Sequence, residues 1–246
     1  MNIIIPMAGY GKRFADCGFT IPKPLIKVGS KAMYRYALDS LPLHMASKLI
    51  FTLRKDHFLE TLIDDIKSYY SSYNYKIIVL ENETRGQAET VLKSSAEIDD
   101  SEPTLIHNCD TFFTPSLDWK NLIQGNIDGA MVLFPSTENR WSYAKLREDE
   151  TRVIDVKEKK VISPYASTGT YFFKDSRALL ANIERLIDLN IKENNEYYLS
   201  SVYQIMIAQQ KSIIPFHVEK IMCFGTPQDL VDSLNAMLNQ NSRKVA

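Results

Sequence analysis

Over its first 135 residues the chain alternates short apolar runs with amphipathic ones, and no other feature restricts its fold as much. Residues 2–5 (Asn-Ile-Ile-Ile) are β-branched, stop at Pro6 and predict a buried strand. Ala32 to Leu41 reads as a helix stopped by Pro42, and Ser47 to Leu53 as a second strand. From Asp56 to Tyr70, apolar residues fall at Phe58, Leu59, Leu62, Ile63, Ile66, Tyr69 and Tyr70, a helical period with Asp56 as the expected N-cap. Lys76–Leu80 is a third strand and Gln87 to Glu97 a helix. Thr104–Asn108 is a fourth strand, with Cys109 and Asp110 at its end, and Asp128–Phe134 a fifth. Such alternation predicts an α/β fold built on a mostly parallel mixed sheet flanked by helices.

After residue 135 the rhythm changes. Short strands are expected at Tyr143–Leu146, Val153–Val156 and Thr170–Phe173, then helices at Ser176–Leu189 and Tyr197–Gln209. A strand at Ile213–His217 leads to Gly225-Thr226-Pro227 and a closing helix, and the polar end from Asn239 to Ala246 is expected to fray. A length of 246 residues suits one domain over 1–246, with a first half at 1–135 and a second at 136–238. The formal net charge of −1 provides no basic field for nucleic acid. No window offers the roughly 20 apolar residues of a membrane span, and the apolar start is too short for a signal peptide. Cys17, Cys109 and Cys223 fit neither a metal spacing nor a disulfide framework, so reduced thiols in a cytoplasm are expected. His44, His57, His107 and His217 show no paired spacing and are assigned no catalysis.

The segment that carries chemistry runs from Met7 through Ala8, Gly9, Tyr10, Gly11, Lys12, Arg13 and Phe14 to Pro22-Lys23-Pro24. It leaves the carboxyl end of the first strand, where ligands of α/β sheets bind. Gly9 and Gly11 allow backbone N–H groups to approach a ligand closely. Lys12, Arg13 and Lys23 bring three cations suited to phosphate, and the flanking prolines stiffen the backbone around Lys23. A Gly-x-Gly alone marks a turn; this combination is more specific. It is not a P-loop, which closes on Gly-Lys-Ser/Thr, and it lacks the third glycine of the dinucleotide fingerprint.

Ile5 to Phe14 together with Pro22–Pro24 resembles the signature loop of the sugar-phosphate nucleotidyltransferase superfamily, and the resemblance continues in order along most of the chain. It implies a Rossmann-like, GT-A-like fold with a small acceptor-binding β/α portion in the C-terminal half. It implies condensation of a nucleoside triphosphate with a small phosphorylated metabolite, using Mg²⁺ and releasing pyrophosphate. By matching position, Ala8, Gly9, Tyr10, Gly11 and Lys12 hold the nucleotide, Arg13 and Lys23 act on its phosphates, and Gly86 and Gln87 face the base. Asp110 takes the place of the metal-binding aspartate. Glu158, Lys159, Thr168, Gly169 and Glu196 fall where the acceptor is bound. The sequence departs from the family's late Asp-x-Gly-Thr segment at Cys223, a poor Mg²⁺ ligand.

Residue by residue, blander readings stand beside these: a turn-capping Asp110, an exposed helix-starting Gln87, a solvated charge run at Val156–Lys159. Arg140, Trp141 and Tyr143 are candidates to line the acceptor pocket as well, but core or surface places are the first expectation for each. Two rival functions share the fold, a nucleotide-sugar glycosyltransferase and a non-catalytic nucleotide-binding regulator. The chain also resembles compact cytidylyltransferases of surface-polysaccharide (capsule) pathways, which favours CTP over GTP, UTP or dTTP without fixing the base; the acceptor is a sugar 1-phosphate, a polyol phosphate, or another small phosphorylated compound such as phosphocholine or a phosphoamino acid. A homodimer is compatible with this reading and is not specified by it.

Overall fold

The computed structural model describes residues 1–56, 58–114 and 118–244; His57 lies outside the described residues. In chain order the elements are β1 (Asn2–Met7), α1 (Lys12–Ala15), β2 (Lys27–Val28), β3 (Lys31–Ala32), α2 (Met33–Asp39), β4 (Lys48–Arg54), α3 (Leu59–Tyr70), β5 (Tyr75–Leu80), α4 (Gln87–Leu92), β6 (Thr104–His107), β7 (Thr111–Phe113), α5 (Trp119–Gln124) and β8 (Gly129–Pro135). The second half contributes β9 (Ser142–Leu146), β10 (Val153–Glu158), β11 (Tyr165–Phe173), α6 (Ser176–Asp188), α7 (Leu199–Ala208), β12 (Ile213–His217), β13 (Ile221–Cys223) and α8 (Pro227–Lys244).

Nine strands form the main sheet, in the order β10-β9-β11-β6-β1-β4-β5, with β8 beside β11 and β12 beside β8. The β6-β1-β4-β5 portion is parallel; β11 runs antiparallel between β6 and β8. The expected mixed, mostly parallel sheet with helices on both faces is therefore present. Its strands read as continuous apolar runs because both faces are covered. Ile3 and Ile5 belong to the core under α2, α3 and α5, whereas Ile4 belongs to the core under α4, α6 and α7. All three isoleucines are fully buried, each contributing roughly 1.5–3 kcal/mol.

Several boundaries differ from the sequence reading, each for a local reason. Strand β1 continues through Pro6 to Met7, because its ladder with β6 stops at Ile4↔Ile106 and a missing donor is tolerated on a strand paired only with β4. Helix α3 begins at Leu59: Asp56 forms a turn, its Oδ1 accepting from the Phe58 N–H at 2.9 Å. The helix after Gly86 ends at Leu92 and gives way to a separate 3₁₀ turn at Ser95–Glu97. Strand β11 is longer than expected and absorbs Ser167–Thr170. Helix α8 continues to Lys244, so most of the polar end is helical.

The early end of the β1–β6 ladder has a consequence for function. From β1 the chain builds outward through β4 and β5, then returns to add β6 on the other side. Between β1 and β6 the sheet thus has a topological switch point, with a crevice at the carboxyl edge.

Candidate functional site

A cleft of about 680 Å³ opens at this switch point, a size that suits a small-molecule ligand. The loop after β1 forms one wall. Gly11 has φ +65°, and a Cβ there would lie 3.1 Å from the Lys23 Cβ. Glycine therefore lets the loop fold over Lys23, which begins a 3₁₀ turn (Lys23–Leu25) between Pro22 and Pro24. Phe14, fully buried, anchors the loop in a small core with Ile26, Val28, Met33, Phe224 and Leu230. Lys12 and Arg13 are exposed, and among the described residues no carboxylate pairs with either. The Tyr10 ring is 58% exposed, with the Arg54 guanidinium over it at 4.7 Å.

The carboxyl end of β6 forms the floor. Asp110 Oδ2 makes an ion pair with the Lys23 ammonium, both largely shielded. Burial works against both charges. Each nevertheless favours the other, so Lys23 is held above and Asp110 below its ordinary pKa. Lys23 is thus an ammonium at neutral pH, a donor rather than a base. Three residues before Asp110, buried His107 orders the strand end: its Nε2–H donates to the Thr111 carbonyl at 2.8 Å and its Nδ1 accepts from the Thr170 hydroxyl at 2.7 Å. Burial lowers its pKa to about 4.

Opposite the loop, Gly86 has φ +129°, and a Cβ would lie 2.6 Å from the Tyr197 backbone. Backbone bonds from Tyr197 N to Arg85 O (2.7 Å) and from Ala88 N to Tyr197 O (3.0 Å) clamp the segment there. Gln87 Nε2 donates to Asn108 Oδ1 at 2.7 Å. In the second half, Glu158 Oε2 accepts from the Ser142 hydroxyl and from Ser200 Oγ at 3.0 Å. Burial nonetheless raises its pKa, the hydroxyls and Lys159 opposing the shift. Lys159 Nζ donates to Tyr198 OH at 2.8 Å.

The cleft brings together Ala8, Gly9, Tyr10, Gly11, Lys12, Arg13, Lys23, Gly86, Gln87, Asp110, Glu158, Lys159, Gly169 and Glu196. Thr168 is not on its wall: it is buried, and its hydroxyl donates to Val132 O at 3.2 Å. Arg140 and Trp141, expected in the core or on the surface, line the cleft, while Tyr143 is core. A signal for them exists, because β8 is antiparallel to β11, itself antiparallel to β6. The loop after β8 therefore leaves the sheet at the functional edge, but only known strand order reveals this.

Asp110 supplies a hard oxygen donor to the cleft. Strand β13 pairs with β7 so that Cys223 sits opposite Thr111, beside Asp110. Burial raises the Cys223 pKa, and its Sγ donates weakly to Asp229 Oδ2 at 3.7 Å. Among the described residues no three His, Cys, Asp or Glu side chains converge as a metal cage. This donor set fits a hard cation that brings phosphate and water ligands with it, and not one needing an all-protein shell.

A cation-lined crevice beside a glycine loop at the carboxyl edge of an α/β sheet has the charge and the position that suit phosphorylated ligands. Residues 2–240 match the nucleotidyl transferase family, and the chain belongs to it. A mannose-1-phosphate guanyltransferase of Yarrowia lipolytica is 25% identical over 99% of this chain; the chain spans 66% of that relative's length. Among solved structures, a nucleoside-diphosphate-sugar pyrophosphorylase of Vibrio cholerae RC9 superposes with a TM-score of 0.85 at 25% identity, covering 95% of this chain and 99% of that one. An inositol-1-phosphate CTP transferase of T. maritima shares the fold, with a TM-score of 0.72 at 13% identity over 95% and 96% of the two chains. No helix among the described residues is long and apolar enough to cross a membrane.

Proposed function

We propose that the protein is a nucleotidyltransferase that joins a nucleoside triphosphate to a small phosphorylated acceptor, most simply a sugar phosphate, and releases pyrophosphate. The observation that carries this reading is the Lys23–Asp110 pair at the switch point, flanked by two cations, Lys12 and Arg13, that have no carboxylate partner among the described residues. An acceptor phosphate oxygen attacks the α-phosphorus; the new P–O bond forms as the α–β bridge breaks and pyrophosphate leaves. The acceptor needs no protein nucleophile, since a phosphate monoester is already ionised near pH 7. The difficulty is the meeting of two polyanions. Arg13 and Lys23 act on it by neutralising the α-phosphate and the leaving group. Asp110 is the residue to hold Mg²⁺, which when bound supplies further charge neutralisation on the phosphates.

In this reading the backbone from Ala8 to Lys12 holds the nucleotide and the Gly86–Gln87 segment faces the base. Glu158, Lys159, Gly169 and Glu196 form the acceptor side, to which Thr168 contributes only through its neighbour. CTP is the nucleotide expected first, on the likeness to compact cytidylyltransferases of cytoplasmic surface-polysaccharide synthesis; the relatives' names add GTP. A pyrophosphate-release screen of four nucleotides against phosphorylated metabolites separates these. With the best pair, Lys23→Ala and Asp110→Asn are each expected to lower turnover by about 10²–10⁴-fold. Near-normal release by both variants, folded by circular dichroism, removes the assignment.

A further inference from the structure

The acceptor half of the cleft holds one cation whose environment is unlike the others. Arg140 follows β8, lines the cleft and is stacked on the adjacent Trp141 ring, its guanidinium carbon 4.3 Å from the ring centroid. Its Nη1 donates to Asp229 Oδ1 at 2.6 Å, and Asp229 is buried at the start of α8. Its Nε makes an ion pair with Glu138 at 2.7 Å, but the Glu138 side chain is 62% exposed. Among the described residues nothing bonds to Nη2. Lys159, the other cation on this side, is occupied by the Tyr198 hydroxyl and lies over its ring at 5.1 Å.

Asp229 also relates Arg140 to the reaction centre. A Cβ on Gly225 would lie 3.3 Å from Asp110 Oδ2 and 3.5 Å from Asp229 Oδ2. The two carboxylates therefore flank one glycine, with Lys23 on the first and Arg140 on the second. One fixed cation thus stands on each side of Gly225.

We propose that Arg140 is the anchor for the acceptor's phosphate, and that Glu138 is a stand-in carboxylate which that phosphate displaces. This rests on the nucleotidyltransferase reading for the identity of the anion. The buried Asp229 bond and the Trp141 stack fix the guanidinium plane. That leaves the Nε/Nη2 edge as the face for a bidentate phosphate. An exposed glutamate is weakly held there and yields to a dianion that makes two charge-assisted bonds.

The test uses the whole chain and two variants with effects of opposite sign. Inorganic phosphate is titrated while tryptophan emission is followed, since Trp141 touches the guanidinium; calorimetry runs in parallel. Arg140→Met is expected to weaken the emission-reported binding at least tenfold, and Glu138→Ala to strengthen it severalfold. With the best substrate pair from the pyrophosphate screen, Arg140→Met raises the acceptor KM at least tenfold while the nucleotide KM stays within about twofold. Glu138→Ala needs no disrupted core and so remains informative where Arg140→Met fails to fold. Phosphate binding unchanged in Glu138→Ala, or unchanged in a folded Arg140→Met, overturns the anchor. Arg140-dependent phosphate binding without pyrophosphate release from any pair instead overturns the nucleotidyltransferase reading and leaves the anion site standing.

Discussion

Gly169 is the residue where backbone conformation and site geometry meet most tightly. It has φ +78°, and a Cβ would lie 2.1 Å from Asn108 Nδ2. Asn108 in turn accepts from Gln87, so one missing side chain lets two amides reach across the cleft. Gly169→Ala is expected to cost about 1–3 kcal/mol in urea unfolding, part from the positive φ and part from the clash. Adding Asn108→Ala removes the clash alone, so the double variant is expected to recover some of the loss. If it recovers none, the steric account is wrong. The pairing of Lys23 with Asp110 obeys the same logic: each charge is tolerable in a shielded place because the other is there.

Elements act here as supports for a loop that has little regular structure of its own. Helix α1 spans only four residues, and Gly11 at its start makes no side-chain cap. What holds the loop is Phe14, sunk among Ile26, Val28, Met33, Phe224 and Leu230, the last two from the far end of the chain. Phe224 also donates its backbone N–H to Asp110 O at 2.7 Å, tying the same prop to the floor of the cleft. Phe224→Ala leaves a cavity and is expected to cost about 3–5 kcal/mol. Amide exchange locates the damage: residues 12–28 are expected to exchange much faster while β1 and β4 keep their protection. A uniform rise across the sheet contradicts this local role.

For the whole molecule the informative variable is pH. His107 is buried at the β6 end and titrates at about 4, against about 6.5 when unfolded. Between these values the unfolded chain binds a proton that the folded chain refuses. Stability is therefore complete above pH 6.5 and falls as the pH is lowered toward 4, by on the order of 3 kcal/mol from this group. Its hydrogen bonds require the neutral Nε2–H tautomer, because the Thr111 carbonyl can only accept. His107→Gln is expected to be less stable at pH 7 yet to show a shallower loss between pH 6.5 and 4, measured by urea unfolding at each pH. An unchanged slope rules out the buried neutral imidazole as its source.

Much of this was legible from one dimension, for a physical reason. Strand and helix periods depend on which faces are covered, so the run at Ile3–Ile5 and the stripe from Leu59 to Tyr70 announced themselves. The loop from Ala8 to Lys23 was legible because its glycines and cations are close in sequence. Boundaries were less so: whether Pro6 ends a strand depends on whether β6 is still alongside. Arg140 and Trp141 could be named only as secondary candidates, because their place follows from strand order, which is a property of pairings between distant segments. Local sequence alone thus determined the elements and the glycine- and cation-rich loop. Only the tertiary structure decided that β6 lies beside β1, so that Asp110 meets Lys23, because long-range pairing is chosen by the packing of the whole sheet.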